Sequence, residues 1–150
     1  MNVTVSVLAS RHLSKGLLMT TLEVWQRVDT LLMADDPTAA FEAYRVSGDL
    51  KRDLPEVDAL YGFHLECEAH HKDLWDHTLR VIANCPRDAD IRWVGLMHDV
   101  GKVPTRAFDE RGRITFWKHE EVGSDLFGAI CERIGMPSHR AERIGFLIAN

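Results

Sequence analysis

LMHDVGK, residues 96–102, is the stretch of this 150-residue chain that decides the fold, because it places His98 beside Asp99. A second histidine, His77, lies upstream in WDHTLRV, residues 75–81. Two imidazoles and one carboxylate are a recurring ligand set for a divalent metal. The mixed nitrogen and oxygen donors favour Mn, Fe, Co, Ni or Zn, with Mg as an alternative, whereas Ca²⁺ takes oxygen ligands only.

The His-Asp pair falls at the C-terminal end of a predicted helix. This helix begins at Asp88 or Asp90, carries apolar residues at helical spacing and closes at Gly101. Adjacent helical residues point in directions about 100° apart, so His98 and Asp99 converge on one ion only beyond the helix edge. A helix terminus is where such convergence is easiest.

His77 lies inside another predicted helix, which Asp73 caps and Pro86 stops near Asn84. If the two helices pack together, His77 reaches the ion from the side opposite His98. Three protein ligands leave positions open for water or substrate, and open positions are typical of catalytic metal sites.

The rest of the chain is predicted to be mostly helical. The stretch AFDERGRITF, residues 107–116, has a polar turn at Gly112 and predicts a hairpin or a lid loop. The other predicted elements are helices from Thr20 to about Ala34, from Asp36 and Pro37 to Gly48, from Trp117 to Ile134 and from Arg140 to Ile148, with a short helix or turn at Pro55. We therefore predict an all-α fold, a helical bundle with a short hairpin or loop insertion.

Composition favours one ordinary domain, which we place at residues 20–150. A hydrophobic content of 45% in 150 residues is enough to form a core. The net charge of -5 gives no overall basic field, so strong sequence-independent nucleic-acid binding is not implied, although a local basic patch stays open. Cys67, Cys85 and Cys131 are far apart and form no CxxC pair, which indicates reduced thiols and a cytoplasmic protein.

Residues 1–19, MNVTVSVLASRHLSKGLLM, are treated as an N-terminal extension. The segment is fairly apolar, but it lacks a charged leading region and is interrupted by Arg11, His12 and Lys15. It therefore predicts neither a signal peptide nor a membrane span. A mobile arm, a docked extra element, or sequence upstream of a functional start at Met19 all remain open.

Cationic residues follow the His-Asp pair and indicate a phosphate-binding site. Lys102 can neutralise a phosphoryl oxygen as a point charge, and Arg106 offers a forked grip on the same group. His119 is a candidate ligand for a second ion or a donor to substrate phosphate, and the alternative is a residue that orients a ligand or caps a helix. Metal-activated water attacking phosphorus, with Asp99, Lys102 and Arg106 as catalytic groups, makes phosphoester hydrolysis the predicted reaction.

Other chemistry-bearing residues receive plainer interpretations. The cluster HLECEAHH, residues 64–71, matches no zinc-binding spacing and is interpreted as a polar loop, although His70 or His71 could line a substrate cleft. The four tryptophans are interpreted as core or interface anchors, and Trp117, beside His119, is the one considered near substrate.

His77, then His98-Asp99, then Gly101-Lys102 resembles the HD-domain superfamily of metal-dependent phosphohydrolases. The stretches HHKDLWDHTLRVIANCP, VGLMHDVGKVPTRAF and GRITFWKHEEVGSDLF resemble the HD domain on the C-terminal side of bacterial tRNA nucleotidyltransferases that add the CCA end. SGDLKRDLPEVDALYGF is similar to the segment that precedes this domain. The resemblance covers roughly residues 37–150.

This resemblance implies an all-helical bundle, a divalent metal at His77, His98 and Asp99, and hydrolysis of phosphomonoesters or 2′,3′-cyclic phosphates on a nucleotide or an RNA end. His119 matches a further histidine of the family. The nucleotidyltransferase head is absent from the 150 residues, so CCA addition is not predicted. The relatives continue past Asn150 into further ligands, for which water, Asp73 or Asp76, or another chain in a homodimer would substitute.

Two classes of function follow. The first is a metal-dependent phosphohydrolase acting on nucleotide or RNA-end phosphoesters. The second is a non-catalytic module that binds a nucleotide or tRNA through an incomplete metal site. Metal content and turnover distinguish them.

Overall fold

The computed structural model describes residues 24–65 and 72–150. Within these ranges the helices are α1 Val24–Leu32, α2 Pro37–Val46, α3 Asp49–Asp53, α4 Pro55–Asp58, α5 Leu74–Asn84, α6 Ala89–Met97, α7 Lys102–Thr105, α8 His119–Ile134 and α9 Ser138–Ala149. Two antiparallel pairs of short strands accompany them, β1 His64–Leu65 with β2 Lys72–Asp73, and β3 Ala107–Phe108 with β4 Ile114–Thr115. The prediction of an all-α bundle with a short hairpin is confirmed.

Side-chain caps fix the start of three helices. Asp36 accepts a hydrogen bond from the Ala39 amide ahead of α2, and Asp73 accepts one from the Trp75 amide ahead of α5. Asp88 accepts from two amides at the start of α6, so the helix opens at Asp88 and not at Asp90. These acidic caps also complement the positive end of each helix.

The structure corrects several predicted boundaries. Helix α8 begins at His119 and not at Trp117, and α9 begins at Ser138 and not at Arg140. Helix α6 ends at Met97, and His98 is its C-cap residue. The chain after Gly101 was predicted to leave the helical region, but Lys102–Thr105 forms the short helix α7, which includes Pro104. Proline is tolerated there because an amide in the first turn of a helix has no acceptor within that helix.

Several interpretations concern residues outside the described ranges. These are the extension at residues 1–19, the capping box at Thr20, Cys67 and most of the 64–71 cluster. Of that cluster, the structure describes the pairing of His64 with Asp73 and of Leu65 with Lys72. Among the described residues, no helix combines the length and the apolar character that a membrane crossing demands.

The core lies between α5, α6, α8 and α9, with α1 and α2 closing one side. Helix α9 packs against α8 and α6, while α5 packs against α6 and α2. Trp75 and Trp93 are buried in this core, in line with the interpretation of the tryptophans as core or interface anchors, whereas Trp117 is 82% exposed and lies outside the core. Cys85 and Cys131 are free thiols, and burial raises the pKa of Cys131 to about 12.

A charged cluster ties α9 to the two helices beneath it. The Arg140 guanidinium donates to both carboxylate oxygens of Asp29 at 2.7 and 2.8 Å, and it also pairs with Asp90. The indole nitrogen of Trp93 donates to Asp29 at 2.7 Å. Because α9 is amphipathic and covers the core from one side, these bonds fix its position over α1 and α6.

Asp53 is a second polar node, and it joins the first three helices. Its carboxylate accepts from Tyr44 at 2.6 Å, from Arg27 at 2.7 Å and from Arg52 at 2.8 Å. Burial alone would raise the pKa of Asp53, but the hydrogen bonds from Arg52 and Tyr44 and the charges of Arg52 and Arg27 outweigh burial and lower it below 3.8. The ionised carboxylate therefore stabilises the fold.

This node predicts a specific loss of stability in acid. Because the pKa of Asp53 is lower in the folded protein than in the unfolded chain, its contribution is present above 3.8 and is lost as the pH falls through the lowered value. In Asp53→Asn this part of the pH dependence disappears, and the free energy of unfolding at neutral pH falls by about 2 kcal/mol. Urea unfolding at a series of pH values measures both effects.

Asp35 supplies the control, because its side chain is 94% exposed and pairs only at the surface with Arg87. Asp35→Asn is expected to retain the wild-type pH dependence and stability. If Asp53→Asn loses as much unfolding free energy in acid as the wild type does, Asp53 is not the source of this stabilisation.

Candidate metal centre

Three of the predicted ligands meet at one point. The Nε2 atoms of His77 and His98 lie 3.2 Å apart. The Oδ2 atom of Asp99 lies 3.5 Å from Nε2 of His77 and 3.3 Å from Nε2 of His98. Among the described residues, these side chains form a group whose donor atoms converge closely enough to hold one ion.

The end of α6 places His98 and Asp99 as the sequence predicted. His98 is the C-cap residue, and its backbone amide donates to Val94 within the last turn. Its Nδ1 lies 2.8 Å from the carbonyl oxygen of Gly95. A carbonyl only accepts, so Nδ1 carries the hydrogen and the neutral ring keeps its lone pair on Nε2, facing His77 and Asp99.

Asp99 is buried, with 2% of its surface exposed, yet its charge is well compensated. Nζ of Lys102 lies 2.8 Å from Oδ1 and 2.9 Å from Oδ2. Burial alone would raise the pKa of Asp99, but hydrogen bonds and charges from His98 and Lys102 lower it to about 2. The carboxylate is therefore ionised at any physiological pH.

The two imidazoles differ in their environment. Burial lowers the pKa of His77, and the charge of Asp99 only partly opposes this effect. Burial also acts to lower the pKa of His98, but the hydrogen bond and charge of Asp99, together with the Gly95 carbonyl, raise it overall. Helix α5 carries His77 into the site from the side opposite α6, as expected from its interior position.

His119 approaches the other oxygen of the same carboxylate. Its Nε2 lies 3.6 Å from Oδ1 of Asp99, and its Nδ1 lies 3.0 Å from the carbonyl oxygen of Phe116. Nδ1 therefore donates to Phe116, and the lone pair of a neutral ring is on Nε2, toward the site. The preceding residue, Lys118, adopts the left-handed conformation, with φ of 62°, and turns the chain into α8.

The first turn of α8 lies directly against Gly101. A Cβ atom at Gly101 would lie 1.9 Å from the carbonyl oxygen of His119 and 2.7 Å from the amide nitrogen of Gly123. Since φ of Gly101 is -67°, its backbone conformation suits any residue, and only space requires glycine here. This close approach sets the distance between His119 and Asp99.

A row of two cations and three aromatic rings leaves the centre on the Lys102 side. Nζ of Lys102 lies 5.9 Å from the ring centroid of Phe116, whose ring is 6.3 Å from that of Phe63. The Arg106 guanidinium lies 5.4 Å from the Phe63 ring and 5.8 Å from the Phe108 ring. We call Lys102, Phe116, Phe63, Arg106 and Phe108 the cation–aromatic ridge.

A shallow cavity of about 500 Å³ opens on the His77 side. Arg80 and Asn84 line it, together with Val81, Cys85 and Pro86. Arg80 and Asn84 follow His77 by three and seven residues on α5, so helical spacing alone could have placed them on its face. Sequence reasoning did not single them out.

Sequence reasoning thus identified the residues that the structure brings together, His77, His98, Asp99, Lys102 and His119. Arg106 is placed over the rings of Phe63 and Phe108, and its contact with a reacting phosphate stays a prediction. The Asp73 carboxylate caps a helix and accepts hydrogen bonds from the amides of Trp75 and Gly62. These bonds hold it in the cap, so it is not a replacement metal ligand in this conformation. Phe63 and Phe116 were missed because single aromatic residues have no spacing signal.

The donor set fits a divalent metal. Nitrogen and oxygen ligands bind such an ion at about 2.0–2.2 Å, so donors sharing one ion are separated by about 3.0–3.6 Å. The three separations here, 3.2, 3.3 and 3.5 Å, fall in that range. The Nδ1 contact of His98 with Gly95 is the outer contact that usually orients a metal-binding imidazole.

The helical fold and this centre define a class of protein, the helical metal-binding domains that carry an adjacent histidine and aspartate. A family model described as "HD domain" matches residues 74–150. The chain belongs to the HD domain family, within the superfamily of metal-dependent phosphohydrolases. The matched residues include the three converging ligands.

The chain is also similar to curated proteins named "Multifunctional CCA protein". The one from Alkalilimnicola ehrlichii is 37% identical over 123 residues, which covers 76% of this chain and 28% of that protein. The one from Chromobacterium violaceum is 36% identical over 119 residues, covering 77% and 28%. The one from Nitrosomonas europaea is 35% identical over 130 residues, covering 84% and 31%.

This chain therefore spans less than a third of the length of these relatives. The resemblance to the HD domain of CCA-adding enzymes is confirmed. No solved structure matches the chain significantly.

Proposed function

We propose that the protein is a metal-dependent phosphohydrolase that cleaves phosphoesters of nucleotides or RNA ends, as phosphomonoesters or 2′,3′-cyclic phosphates. The observation that carries this proposal is the convergence of His77, His98 and Asp99 beside a lysine ammonium. Imidazole and carboxylate together favour Mn, Fe, Co, Ni or Zn over Ca²⁺, with Mg as the harder alternative.

In this proposal the three ligands hold the ion, which when bound supplies an activated water and a positive charge for the phosphoryl group. Asp99 acts in two directions, since Oδ2 faces the imidazoles while Oδ1 faces Lys102 and His119. Lys102, anchored by Asp99, presents its ammonium to the phosphoryl oxygens. Arg106, further along the cation–aromatic ridge, binds a more distant part of the substrate.

His119 serves in this proposal as a ligand or proton acceptor. Its Nδ1 donates a hydrogen bond to the carbonyl oxygen of Phe116, so the neutral ring has its lone pair on Nε2. Contact with substrate phosphate as a donor would require a second proton on the ring. We prefer the role of proton acceptor, because Nε2 faces Oδ1 of Asp99 and, among the described residues, His119 is not one of the three whose donor atoms converge.

The remaining coordination positions are filled by water, by substrate or by a second copy of the chain. We propose one domain over residues 20–150, acting in the cytoplasm, where Cys85 and Cys131 stay reduced. Sedimentation of the protein with and without metal shows whether a homodimer forms and whether the ion promotes it.

Removal and return of metal test the proposed function. Elemental analysis of the isolated protein should find about one transition-metal ion per chain. Chelation should abolish hydrolysis of p-nitrophenyl phosphate and of 2′,3′-cyclic nucleotides, and one of Mn, Co, Ni or Mg should restore it. Tight nucleotide or tRNA binding by the metal-free protein without turnover would instead support the non-catalytic module.

A further inference from the structure

The cation–aromatic ridge begins at the candidate metal centre. Lys102 touches Asp99 at one end of the ridge, and its ammonium also faces the Phe116 ring. Phe116 and Phe63 are half-buried and tilted by 55° relative to one another. The ridge is therefore continuous with the place where the proposed function puts a phosphoryl group.

The far end of the ridge is exposed and firmly held. Phe108 lies on β3 and is 62% exposed, and the Arg106 guanidinium lies 5.8 Å from the centroid of its ring. Phe108 pairs with Ile114 across the hairpin. Asp109 accepts hydrogen bonds from the amides of Arg111 and Arg113, which closes the turn behind Phe108.

Rings and guanidinium groups in this arrangement suit nucleobases. Bases stack on aromatic faces and on arginine planes, and the ridge combines three aromatic rings with the positive charges of Lys102 and Arg106, which suit a phosphate backbone. Aromatic residues and arginine are also enriched in protein–protein interfaces, so the position of the ridge must decide between the two kinds of partner. The ridge runs from the candidate metal centre through Lys102, where the proposed function puts a phosphoryl group, and this continuity favours a nucleobase as the partner.

We infer that Phe108 and Arg106 form a stacking surface for a nucleobase, and that the substrate is a single-stranded oligonucleotide whose terminal phosphoester lies at the metal centre. This inference rests on the proposed function. Lys102, Phe116 and Phe63 lie in succession between Asp99 and Arg106, so a base on Phe108 belongs to a nucleotide other than the reacting one. Phe108 is then a specificity-determining residue.

The test compares Phe108→Ala with Phe146→Ala in the full chain. Phe146 is a matched control, because it is 67% exposed and lines a different cavity, between α8 and α9. The substrates are a trinucleotide ending in a 2′,3′-cyclic phosphate, a 2′,3′-cyclic mononucleotide and p-nitrophenyl phosphate. Phe108→Ala should lower kcat/KM for the trinucleotide, relative to that for p-nitrophenyl phosphate, by about tenfold.

Phe146→Ala should leave all three rates unchanged. An equal loss on every substrate in Phe108→Ala, or no loss on the trinucleotide, would overturn the stacking surface. If the wild type hydrolyses none of the substrates, the proposed function fails separately. Fluorescence-polarisation binding of the labelled trinucleotide then decides the inference, with weaker binding by Phe108→Ala supporting it and equal binding by both variants refuting it.

Discussion

Replacing Asp99 by Asn is expected to lower kcat/KM for p-nitrophenyl phosphate by more than about a hundredfold, beyond the loss that follows removal of an outer contact of a metal ligand. The substitution keeps the shape of the side chain and removes its charge. A neutral amide binds a divalent ion poorly, and its NH₂ group would face either the imidazoles or the Lys102 ammonium. Steady-state kinetics and elemental analysis measure the two consequences, lost turnover and lost metal.

The matched control is Asp35→Asn, a surface carboxylate that should keep wild-type rates and metal content. Thermal unfolding shows whether Asp99→Asn retains the fold. If it does not, His77→Ala provides a second variant, because the His77 side chain is 40% exposed and contributes little to the core. Wild-type activity and metal content in both folded variants would exclude this centre as the site of catalysis.

Gly101→Ala is expected to destabilise the protein by more than about 3 kcal/mol, above the usual cost of a single overpacked methyl group. The added carbon would meet backbone atoms of His119 and Gly123, which cannot rotate away as a side chain could. Relief requires α8 to move, and that movement takes His119 away from Asp99. Chemical unfolding reports the loss of stability, and metal affinity reports the displaced helix.

Gly128→Ala separates this steric effect from the general effect of replacing glycine. Gly128 lies inside α8, is exposed, and has nothing within 4 Å of the position that a Cβ would occupy. Alanine there should raise the free energy of unfolding by about 0.5–1 kcal/mol, since it favours the helix more than glycine does. Equal stabilities of the two variants would show that the approach of α7 to α8 is not tight.

Much of the fold could be predicted from the sequence because its signals are local. Asp36, Asp73 and Asp88 cap the helices that follow them, and apolar residues at helical spacing define the core faces. The ligand set was also predictable, because two of its three members are adjacent. What local signals could not give is the packing of α5 against α6, which brings His77 to the pair.

Features that depend on contact between distant segments could not be predicted. In the sequence, Gly101 has the position of an ordinary glycine after a helix. Only the packing of α8 shows that a side chain has no room there. Trp117 follows an apolar strand, so its exposure depends on how the hairpin leaves the core. Phe63 and Arg106 lie far apart in the chain and meet only through the fold.

The ion pair of Asp99 and Lys102 also determines the electrostatic potential that an approaching anion meets. One negative and one positive charge at 2.8 Å nearly cancel, and the chain as a whole carries -5, so the ligand-free centre attracts a phosphate only weakly. A bound divalent cation leaves a local excess of two positive charges at the centre. In the proposed function, metal therefore increases the capture of an anionic substrate as well as its hydrolysis.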